Sequence, residues 1–392
     1  MKKIVVGLLS HYFSDTNLGC VALSICNIIL LDRAAELNNI KVEYRILVNE
    51  KQKHIDLNFT DNSYKYVIYS SCKESLKHPI KLLKNKCFDK CDVIFNLCAG
   101  DGFSDIYGFG RVLSETYMTF LAKIKKCPIV LAPQTIGPFK SLSSRAIAKC
   151  AMNKCNFIFT RDLQSTECCK DLGVDNKTLE VIDVALSLPY EKVVFKNNGL
   201  QIGINISGLL YRGGYNEKNY FGLNFEYKKF IISLVEKLSK NYTVHLISHV
   251  IGDAGFFEDD YTICKEVHQM FPETILAPRF ISPIDAKNYI AGLDLFSGAR
   301  MHATIAAFSS GVPVIPISYS RKFNGLYSNL NYPYMIDAKI EKSVEAAIAK
   351  FYSYINGIND LKQKVMDGQE IYKEQLERYC EEVGKIMIMW CK

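Results

Sequence analysis

Short apolar runs alternate with longer helix-like stretches along most of this chain, and this alternation constrains the fold more than any other feature. Apolar strands joined by helices predict a mainly parallel sheet covered on both faces, since parallel neighbours need a crossover connection. The alternation lapses between residues 188 and 200, where Pro189, several charges and the run Asn197-Asn198-Gly199 indicate a linker. A second series of strands and helices follows. We therefore expect an α/β chain of two domains, residues 1–195 and residues 196–392, the second ending in a helical tail.

The predicted strands of both series are short and bounded by turn residues. In the first half they cover residues 4–9, 41–48, 66–69, 93–97, 128–132 and 157–160. In the second half they cover residues 201–206, 242–247, 274–276, 293–297 and 312–317. Because the carboxyl ends of parallel strands meet at one edge of a sheet, the polar residues that follow them are the first candidates for a binding site. The cleft between two such halves is where we expect the ligand.

Composition excludes several classes of protein. With 392 residues, of which 48% are hydrophobic and 23% charged, the chain has the length and composition of a folded two-domain protein. Its net charge of +7 favours anionic partners weakly, and no run of basic residues interleaved with aromatics predicts nucleic-acid binding. No apolar stretch of about 18 residues predicts a membrane span. The fourteen cysteines include no C-x-x-C pair, so we expect a cytoplasmic protein without a metal site.

Residues 296–303, Phe-Ser-Gly-Ala-Arg-Met-His-Ala, carry the sharpest chemical signal. The three small residues before the arginine leave backbone N–H groups accessible, and a helix predicted to begin near Arg300 points its positive end at the same place. A guanidinium suits a phosphate or a carboxylate, and a histidine titrating near neutrality suits proton transfer. The pattern therefore predicts a site for an anionic substrate, with Arg300 as a ligand and His302 as general acid or base.

Further polar clusters follow other predicted strands and are expected at the same site. Arg161 is expected to hold donor anions together with Arg300, since two guanidinium forks suit two anionic groups. The remaining candidates are Asn17 and Gly19 after the first strand, Gly100, Asp101 and Asp105 after residues 93–97, Gln134 after residues 128–132, and His249 after residues 242–247.

Several catalytic motifs are missing from the sequence. It contains no G-x-x-x-x-G-K-[ST] phosphate loop and no G-x-G-x-x-G fingerprint, which argues against a nicotinamide oxidoreductase. It also contains no D-x-D of the kind that many metal-dependent sugar transferases use, and no G-x-S-x-G nucleophile elbow.

The clusters, taken in order, resemble the motifs of the polysaccharide pyruvyl transferase family. The matching pieces are Asn17-Leu-Gly19, Gly100-Asp-Gly-Phe-Ser-Asp105, Pro133-Gln-Thr-Ile-Gly-Pro138, Thr160-Arg-Asp162, Asp183, Ser248-His-Val250 with Asp259-Asp260, and Arg300-Met-His302. Two positions depart from the family pattern. Cys20 stands where members often have aspartate, and Ala99-Gly100-Asp101 stands where many have three glycines.

The resemblance implies two Rossmann-like domains facing a cleft, similar to metal-independent glycosyltransferases of the GT-B type. It implies phosphoenolpyruvate as donor substrate, no cofactor, and a saccharide acceptor, lipid-linked or derived from a nucleotide sugar, on the way to a surface polysaccharide. The product would be a cyclic pyruvate ketal, with phosphate released. His302 and Arg161 are then the expected catalytic residues. The basic balance of the chain is compatible with contact with the inner face of the membrane.

Three alternatives remain open at the level of sequence. A GT-B-type glycosyltransferase would bind a nucleotide sugar in the same kind of cleft. A binding protein without catalysis would use the His302 cluster only as a receptor for phosphate or carboxylate. A sugar-phosphate epimerase of related architecture would bind a nucleotide sugar and show no response to phosphoenolpyruvate.

Overall fold

The computed structural model describes residues 2–48, 57–69, 88–196, 199–253 and 255–392. Within these residues the chain forms two compact units. Residues 197 and 198 of the predicted linker lie outside the described residues.

The first unit is built on a parallel sheet. Its strands are β1 (Lys2–Leu9), β2 (Ile40–Val48), β3 (Ser63–Ile68), β4 (Val93–Asn96), β5 (Ile129–Gln134), β6 (Phe157–Thr160) and β7 (Thr178–Glu180). Their order is β3-β2-β1-β4-β5-β6-β7, and each neighbouring pair is parallel. The central strands β4 and β5 are buried along their whole length, as expected of a sheet covered on both faces.

The second unit repeats this plan with a smaller sheet. Its strands are β8 (Gln201–Asn205), β9 (Thr243–Ile247), β10 (Ile275–Leu276), β11 (Leu295–Gly298), β12 (Val314–Ser318) and β13 (Ile336–Asp337). Their order is β10-β9-β8-β11-β12-β13, again parallel throughout. The predicted α/β class with two mainly parallel sheets is confirmed.

Helices connect the strands in both units. They are α1 (Leu18–Leu37), α2 (Phe109–Ile124), α3 (Leu142–Met152), α4 (Leu163–Asp171), α5 (Gly208–Tyr211), α6 (Tyr227–Leu238), α7 (Asp260–Met270), α8 (Pro283–Ala291), α9 (Met301–Ser309), α10 (Arg321–Asn329), α11 (Val344–Asn356) and α12 (Ile358–Trp390). Side-chain caps fix several starts: Asp162, Asp259 and Ser282 each accept the backbone N–H three residues on.

The grouping of the chain differs from the predicted cut after residue 195. The first unit comprises the chain up to Ser14, Leu23–Val184 and Lys373–Lys392, and the second comprises Asp15–Ala22 and Ala185–Tyr372. The last twenty residues, which the sequence placed with the second domain, therefore belong with the first. Residues 15–22, which the sequence placed with the first domain, belong with the second.

Helix α1 is more apolar than the sequence analysis allowed for. Among the described residues it is the one helix long and apolar enough to cross a membrane by length and composition. Most of its side chains are nevertheless buried within the protein, including Leu23, Ile28, Leu31 and Ala34. Burial of this kind is typical of a core helix.

Candidate active site

In the first unit, Arg161 lies directly after β6 and is almost fully buried, with 4% of its surface exposed. Its Nη1 donates to Asp183 Oδ2 at 2.7 Å, and its Nε donates to Thr135 Oγ1 at 2.9 Å. A buried charge of this kind needs a partner, and Asp183 provides one. The sequence singled out Asp183 only as part of a motif, and the structure shows that it holds the predicted catalytic arginine.

Gly100 lies against the same guanidinium. Its φ is +86°, and a Cβ at this position would lie 2.4 Å from Leu23 Cδ1 and 3.3 Å from Arg161 Nη1. Its carbonyl oxygen accepts from the backbone N–H of Thr135 at 2.8 Å. A left-handed backbone and this close approach both require glycine. The loops after β4, β5 and β6 thus meet around Arg161.

Gln134, the last residue of β5, joins this group as a buried polar side chain. Its amide nitrogen donates to the carbonyl oxygens of Asn96 at 2.9 Å and Ala132 at 3.0 Å. Its Oε1 is buried and has no hydrogen-bond partner among the described residues. Because a buried acceptor without a partner is costly, this atom is a candidate for contact with a bound molecule.

Asp101 and Asp105 have contacts that organise their own loop. Asp105 Oδ2 accepts the backbone N–H groups of Lys140 at 2.7 Å and Ser141 at 3.0 Å. Asp101 Oδ2 accepts from the hydroxyl of Tyr107 at 2.9 Å. The bonds to Asp105 tie the loop after β4 to the segment after β5, and the bond to Asp101 lies within the loop itself. Their role in substrate binding stays a prediction.

In the second unit, Arg300 lies between β11 and α9 and faces carboxylates. Its Nη2 donates to Asp260 Oδ1 at 2.8 Å, its Nε lies 3.2 Å from both carboxylate oxygens of Asp260, and its Nη1 lies 3.4 Å from Glu258 Oε2. Burial opposes the charge of Arg300, but Asp260 outweighs it and raises the pKa of the guanidinium above its usual value. An anionic substrate would compete with two carboxylates for this fork, so the structure favours a positioning role for Arg300.

Asp260 connects Arg300 to two strand ends. Its Oδ1 also accepts the backbone N–H of Gly208 at 2.7 Å, and its Oδ2 accepts those of His249 at 3.2 Å and Val250 at 2.9 Å. The side chain is fully buried. A carboxylate with this many donors is held rigidly, and it fixes the loops after β8 and β9 relative to Arg300.

His302 lies in the first turn of α9, against the beginning of α1. A Cβ on Gly19 would lie 2.3 Å from His302 Nδ1, so only a glycine lets the imidazole occupy this position. The backbone N–H of Gly19 donates to Asn17 Oδ1 at 3.0 Å, which makes Asn17 the cap of α1. The imidazole therefore lies beside the positive end of α1. A helix N-terminus favours anionic groups, so an anionic substrate could bind next to His302.

His249 is the buried neighbour of this group. Its carbonyl oxygen accepts from the backbone N–H of Leu18 at 3.2 Å, and this bond attaches the start of α1 to the loop after β9. Burial, together with the charges of His302 and Arg300, lowers the pKa of His249 to about 3. The ring is therefore neutral near pH 7 and can offer a hydrogen bond but not an ionised acid. The structure brings together Asn17, Gly19, His249, Arg300 and His302 within the second unit.

Lys322 is a residue that the sequence analysis missed. It lies in the first turn of α10, which follows β12, and burial lowers its pKa to about 8, while Cys20 acts in the opposite direction. Cys20 belongs to the first turn of α1, so Lys322 lies near the same helix start as His302. The signal was available, because β12 is another parallel strand and Arg321-Lys322 follow its carboxyl end.

No metal site is evident at these strand ends. Within the described ranges, no group of three or more His, Cys, Asp and Glu side chains is arranged to hold a metal ion. The described side chains at these strand ends that can bind anions or move protons are Arg161 in the first unit, and His302 and Lys322 in the second.

Comparison with solved structures identifies the fold. HepE of Anabaena in complex with UDP-glucose matches with a TM-score of 0.57 at 11% identity, covering 99% of this chain and 100% of that one. The UDP-GlcNAc 2-epimerase of Neisseria meningitidis bound to UDP-GlcNAc matches with a TM-score of 0.57 at 11% identity, covering 99% of each chain. At this identity the likeness concerns the fold alone. The chain has a GT-B-like fold with two Rossmann-like units.

Comparison by sequence identifies the family. The amylovoran biosynthesis protein AmsJ of Erwinia amylovora is 22% identical over 285 residues, which cover 68% of this chain and 66% of that protein, just under two thirds of its length. A profile of the polysaccharide pyruvyl transferase family matches residues 34–321, a range that includes Arg161, Asp183, Arg300 and His302. The chain belongs to the polysaccharide pyruvyl transferase family.

Proposed function

We propose that this protein transfers the pyruvyl group of phosphoenolpyruvate to a saccharide, forming a cyclic ketal across two hydroxyl groups and releasing phosphate. Membership of the family supports pyruvyl transfer in polysaccharide biosynthesis. The observation that carries the chemistry is the arrangement at the start of α1, where His302 lies against Gly19 and Lys322 lies near Cys20. This arrangement combines a proton-transfer group, a cation and a helix N-terminus.

The reaction balances without a cofactor. A proton is added to C3 of the enol, and the resulting oxocarbenium-like C2 is attacked by one sugar hydroxyl. The second hydroxyl then displaces phosphate from C2, which closes the ketal. Of the two hydroxyl protons lost, one is accounted for by the new methyl group and one leaves with phosphate. A single acid–base residue can serve both transfers, and such a group contributes about 10²–10⁴-fold to rate.

We assign His302 to proton transfer and Lys322 to the donor phosphate. Below about pH 8 Lys322 is mostly protonated, so it offers a positive charge beside the positive end of α1. Arg161 is assigned to a donor anion or to the charge that develops in transfer. Its Nη1 and Nε are held by Asp183 and Thr135, which orient the guanidinium.

The acceptor is proposed to be a repeat-unit precursor of a surface polysaccharide, either an exopolysaccharide or a capsule. A lipid-linked precursor would bring the enzyme to the cytoplasmic face of the membrane, and the net charge of +7 suits that surface.

The proposal is tested by phosphate release. The purified protein is incubated with phosphoenolpyruvate and with depyruvylated oligosaccharides of the cell's own surface polysaccharide, and products are examined by mass spectrometry for a gain of one ketal-linked pyruvate. We expect turnover in the native protein and a loss of about 10²-fold or more in His302→Gln. If no pyruvylated product forms with any of these oligosaccharides, the proposed reaction is refuted.

A second candidate is a glycosyltransferase that uses a nucleotide sugar. It is favoured by the shared fold of HepE, whose structure contains UDP-glucose. Calorimetry with UDP-glucose and phosphoenolpyruvate in parallel separates the two candidates. Saturable binding of UDP-glucose with no heat from phosphoenolpyruvate would support the glycosyltransferase.

A further inference from the structure

The segment between β8 and α6, residues 206–226, is called here the aromatic loop. It belongs to the second unit and is attached to the Arg300 network. The hydroxyl of Tyr215 donates to Glu258 Oε1 at 2.9 Å, and Glu258 Oε2 lies 3.4 Å from Arg300 Nη1. The loop therefore lies one carboxylate away from Arg300, while none of its side chains is used by the proposed reaction.

The aromatic loop presents rings to solvent. Tyr215 and Tyr220 are 54% and 52% exposed, and their ring centroids are 5.4 Å apart. Tyr220 packs on Phe221 at 5.1 Å, and Phe221 packs on Tyr319 at 5.0 Å. The result is a continuous row of rings from the exposed edge of the loop to Tyr319, which follows β12. Clustered exposed rings of this kind usually mark a binding surface.

A cavity lies next to this row. Its volume is about 490 Å³, which is within the range of small-molecule sites. Rings of Tyr211, Phe221, Phe225 and Tyr227 line it together with polar side chains of Arg212, Glu217, Asn219 and Lys228. Because Phe221 belongs both to the cavity wall and to the row of rings, the two features form one surface.

The backbone of the aromatic loop is strained where it supports this surface. Gly213 and Gly214 have φ of +81° and +83°, and the non-glycine residues Glu217 and Asn219 have φ of +55° and +57°. A Cβ on Gly214 would lie 2.5 Å from Cβ of Tyr220, so glycine is required for Tyr220 to pack there. Left-handed non-glycine residues are costly and concentrate at ligand sites.

The charges of the cavity favour a neutral ligand. Arg212 Nη1 already donates to the carbonyl oxygen of Phe257 at 2.6 Å, and Lys228 Nζ lies 3.5 Å from Glu266 Oε1. Two carboxylates, those of Glu217 and Glu226, also line the cavity. The phosphates of a nucleoside diphosphate would be repelled by these carboxylates, and both cationic side chains of the cavity already have other partners. A pyranose ring suits the surface better, because its C–H faces pack on aromatic rings and its hydroxyls donate to carboxylates.

We propose that the aromatic loop is a saccharide subsite that holds a sugar of the acceptor next to the sugar that is pyruvylated. This inference rests on the proposed function and makes the acceptor at least a disaccharide. The neighbouring sugar stacks on Tyr215 and Tyr220, and the cavity beyond Phe221 receives the continuing chain. The loop thus selects acceptors by length and ring shape and leaves the donor site unaffected.

The test measures saccharide binding without the donor, so its outcome does not depend on turnover. The probe is a set of depyruvylated oligosaccharides of two to six sugars from the cell's own surface polysaccharide, observed by saturation-transfer difference NMR and by calorimetry. We expect the Tyr215→Ala/Tyr220→Ala double variant to bind them at least about tenfold more weakly. Tyr190→Ala, which removes a tyrosine 41% exposed outside the loop, is expected to bind as the native protein does.

The outcomes separate the two proposals. Binding of the oligosaccharides that is unchanged in the double variant, or no binding to the native protein, would overturn the subsite even if pyruvyl transfer is observed. Loss of binding in the double variant supports the subsite even if no pyruvylated product is ever found. Displacement of the oligosaccharides by UDP, with UDP binding weakened in the double variant, would overturn it in favour of a nucleotide site.

Discussion

At the scale of single residues, Gly19 determines whether His302 can keep its position. Gly19→Ala would place a Cβ 2.3 Å from His302 Nδ1. The imidazole must then move by about 1 Å to relieve this contact. A misplacement of about 1 Å in a catalytic group costs about 10²-fold in turnover. Phosphate release and the NMR resonances of the His302 ring would report the two effects separately.

The matched control is Gly110→Ala in α2. A Cβ there meets no atom within 4 Å, so turnover should be unchanged and stability should rise by up to about 1 kcal/mol. Full activity of Gly19→Ala would contradict the assignment of His302.

Asp183 is the counter-charge of Arg161. Asp183→Ala leaves a guanidinium buried without its carboxylate, and we expect the free energy of unfolding of the first unit to fall by about 3–5 kcal/mol. Urea unfolding measures this loss. Glu236→Gln is the control, since its pair with Lys240 is exposed on both sides and should change stability by no more than about 0.5 kcal/mol. Similar losses in the two variants would show that Arg161 does not depend on Asp183.

Lys322 gives the proposed reaction a pH dependence. Because its pKa is lowered to about 8, we expect kcat/KM for phosphoenolpyruvate to fall as the pH rises through that value, as the lysine loses its charge. Lys322→Arg should move the falling limb to higher pH, since a guanidinium stays protonated. A limb near pH 8 that is identical in the native protein and in Lys322→Arg would rule out Lys322 as its source.

The sequence predicted part of this site for a specific reason. Arg300, His302 and His249 follow apolar strands, and parallel topology alone brings their positions to one edge of a sheet. Lys322 obeys the same rule, but the nine-residue helix that carries it is mostly polar and is therefore hard to recognise in the sequence. The carboxylates on Arg300 could not be predicted, since Asp260 reaches it across forty residues of chain.

At the scale of elements, α12 completes the first unit. The hydroxyl of Tyr379 donates to Asn27 Oδ1 at 2.8 Å, and Asn27 in turn contacts His11 at 2.9 Å. The thiol of Cys380 lies 3.7 Å from the carbonyl oxygen of Leu30, and the ring of Trp390 packs on Phe157 at 6.1 Å. Within the first unit, these contacts hold the last part of α12 against α1 and β6.

Tyr379→Phe tests this attachment. Removal of the hydroxyl leaves a buried amide oxygen of Asn27 without its donor, so we expect the free energy of unfolding to fall by about 1–3 kcal/mol. Tyr190→Phe is the control, since its exposed hydroxyl lies 3.4 Å from Ser310 O and contributes little. Equal stability of Tyr379→Phe and the native protein, measured by urea unfolding, would contradict this role of α12.

The bounds of the strands and helices were easier to predict than the elements against which they pack. Most predicted strands lie within one or two residues of the observed ones, because short apolar runs between turn residues leave little choice. The strand predicted at residues 66–69 begins three residues earlier, at Ser63, since it alternates in burial and carries no continuous apolar run. The tail was predicted as helical, but its docking to α1 depends on contacts between residues about 350 positions apart, which periodicity cannot show.

At the scale of the whole molecule, three buried histidines make the free energy of unfolding depend on pH. Burial lowers the pKa of His11 and His245 to about 4 and that of His249 to about 3. Unfolded histidines take up protons near pH 6.5, so below that value the unfolded chain binds more protons than the folded one. Stability is therefore complete above about pH 6.5 and is lost as the pH falls toward 4, by roughly 1 kcal/mol per pH unit for each residue.

Urea unfolding of the native protein at about pH 7.5, 6 and 5 checks this expectation, with the signals of the two units followed separately. His249→Gln should make the pH dependence of the second unit less steep, since His245 still contributes to it there. A urea midpoint that stays constant from pH 7.5 to 5 would contradict the conclusion that these rings are buried in the neutral form.

The discontinuous grouping of the chain has a consequence for biosynthesis. Residues 23–37 of α1 are made before residues 185–372 of the second unit, yet residues 373–392, which cover part of α1, are translated after them. At typical elongation rates of 5–20 residues per second, the apolar surface of α1 waits roughly 20–70 seconds for this cover. The second unit can finish folding first, so the order in which the units mature is the reverse of the order in which most of their residues are made.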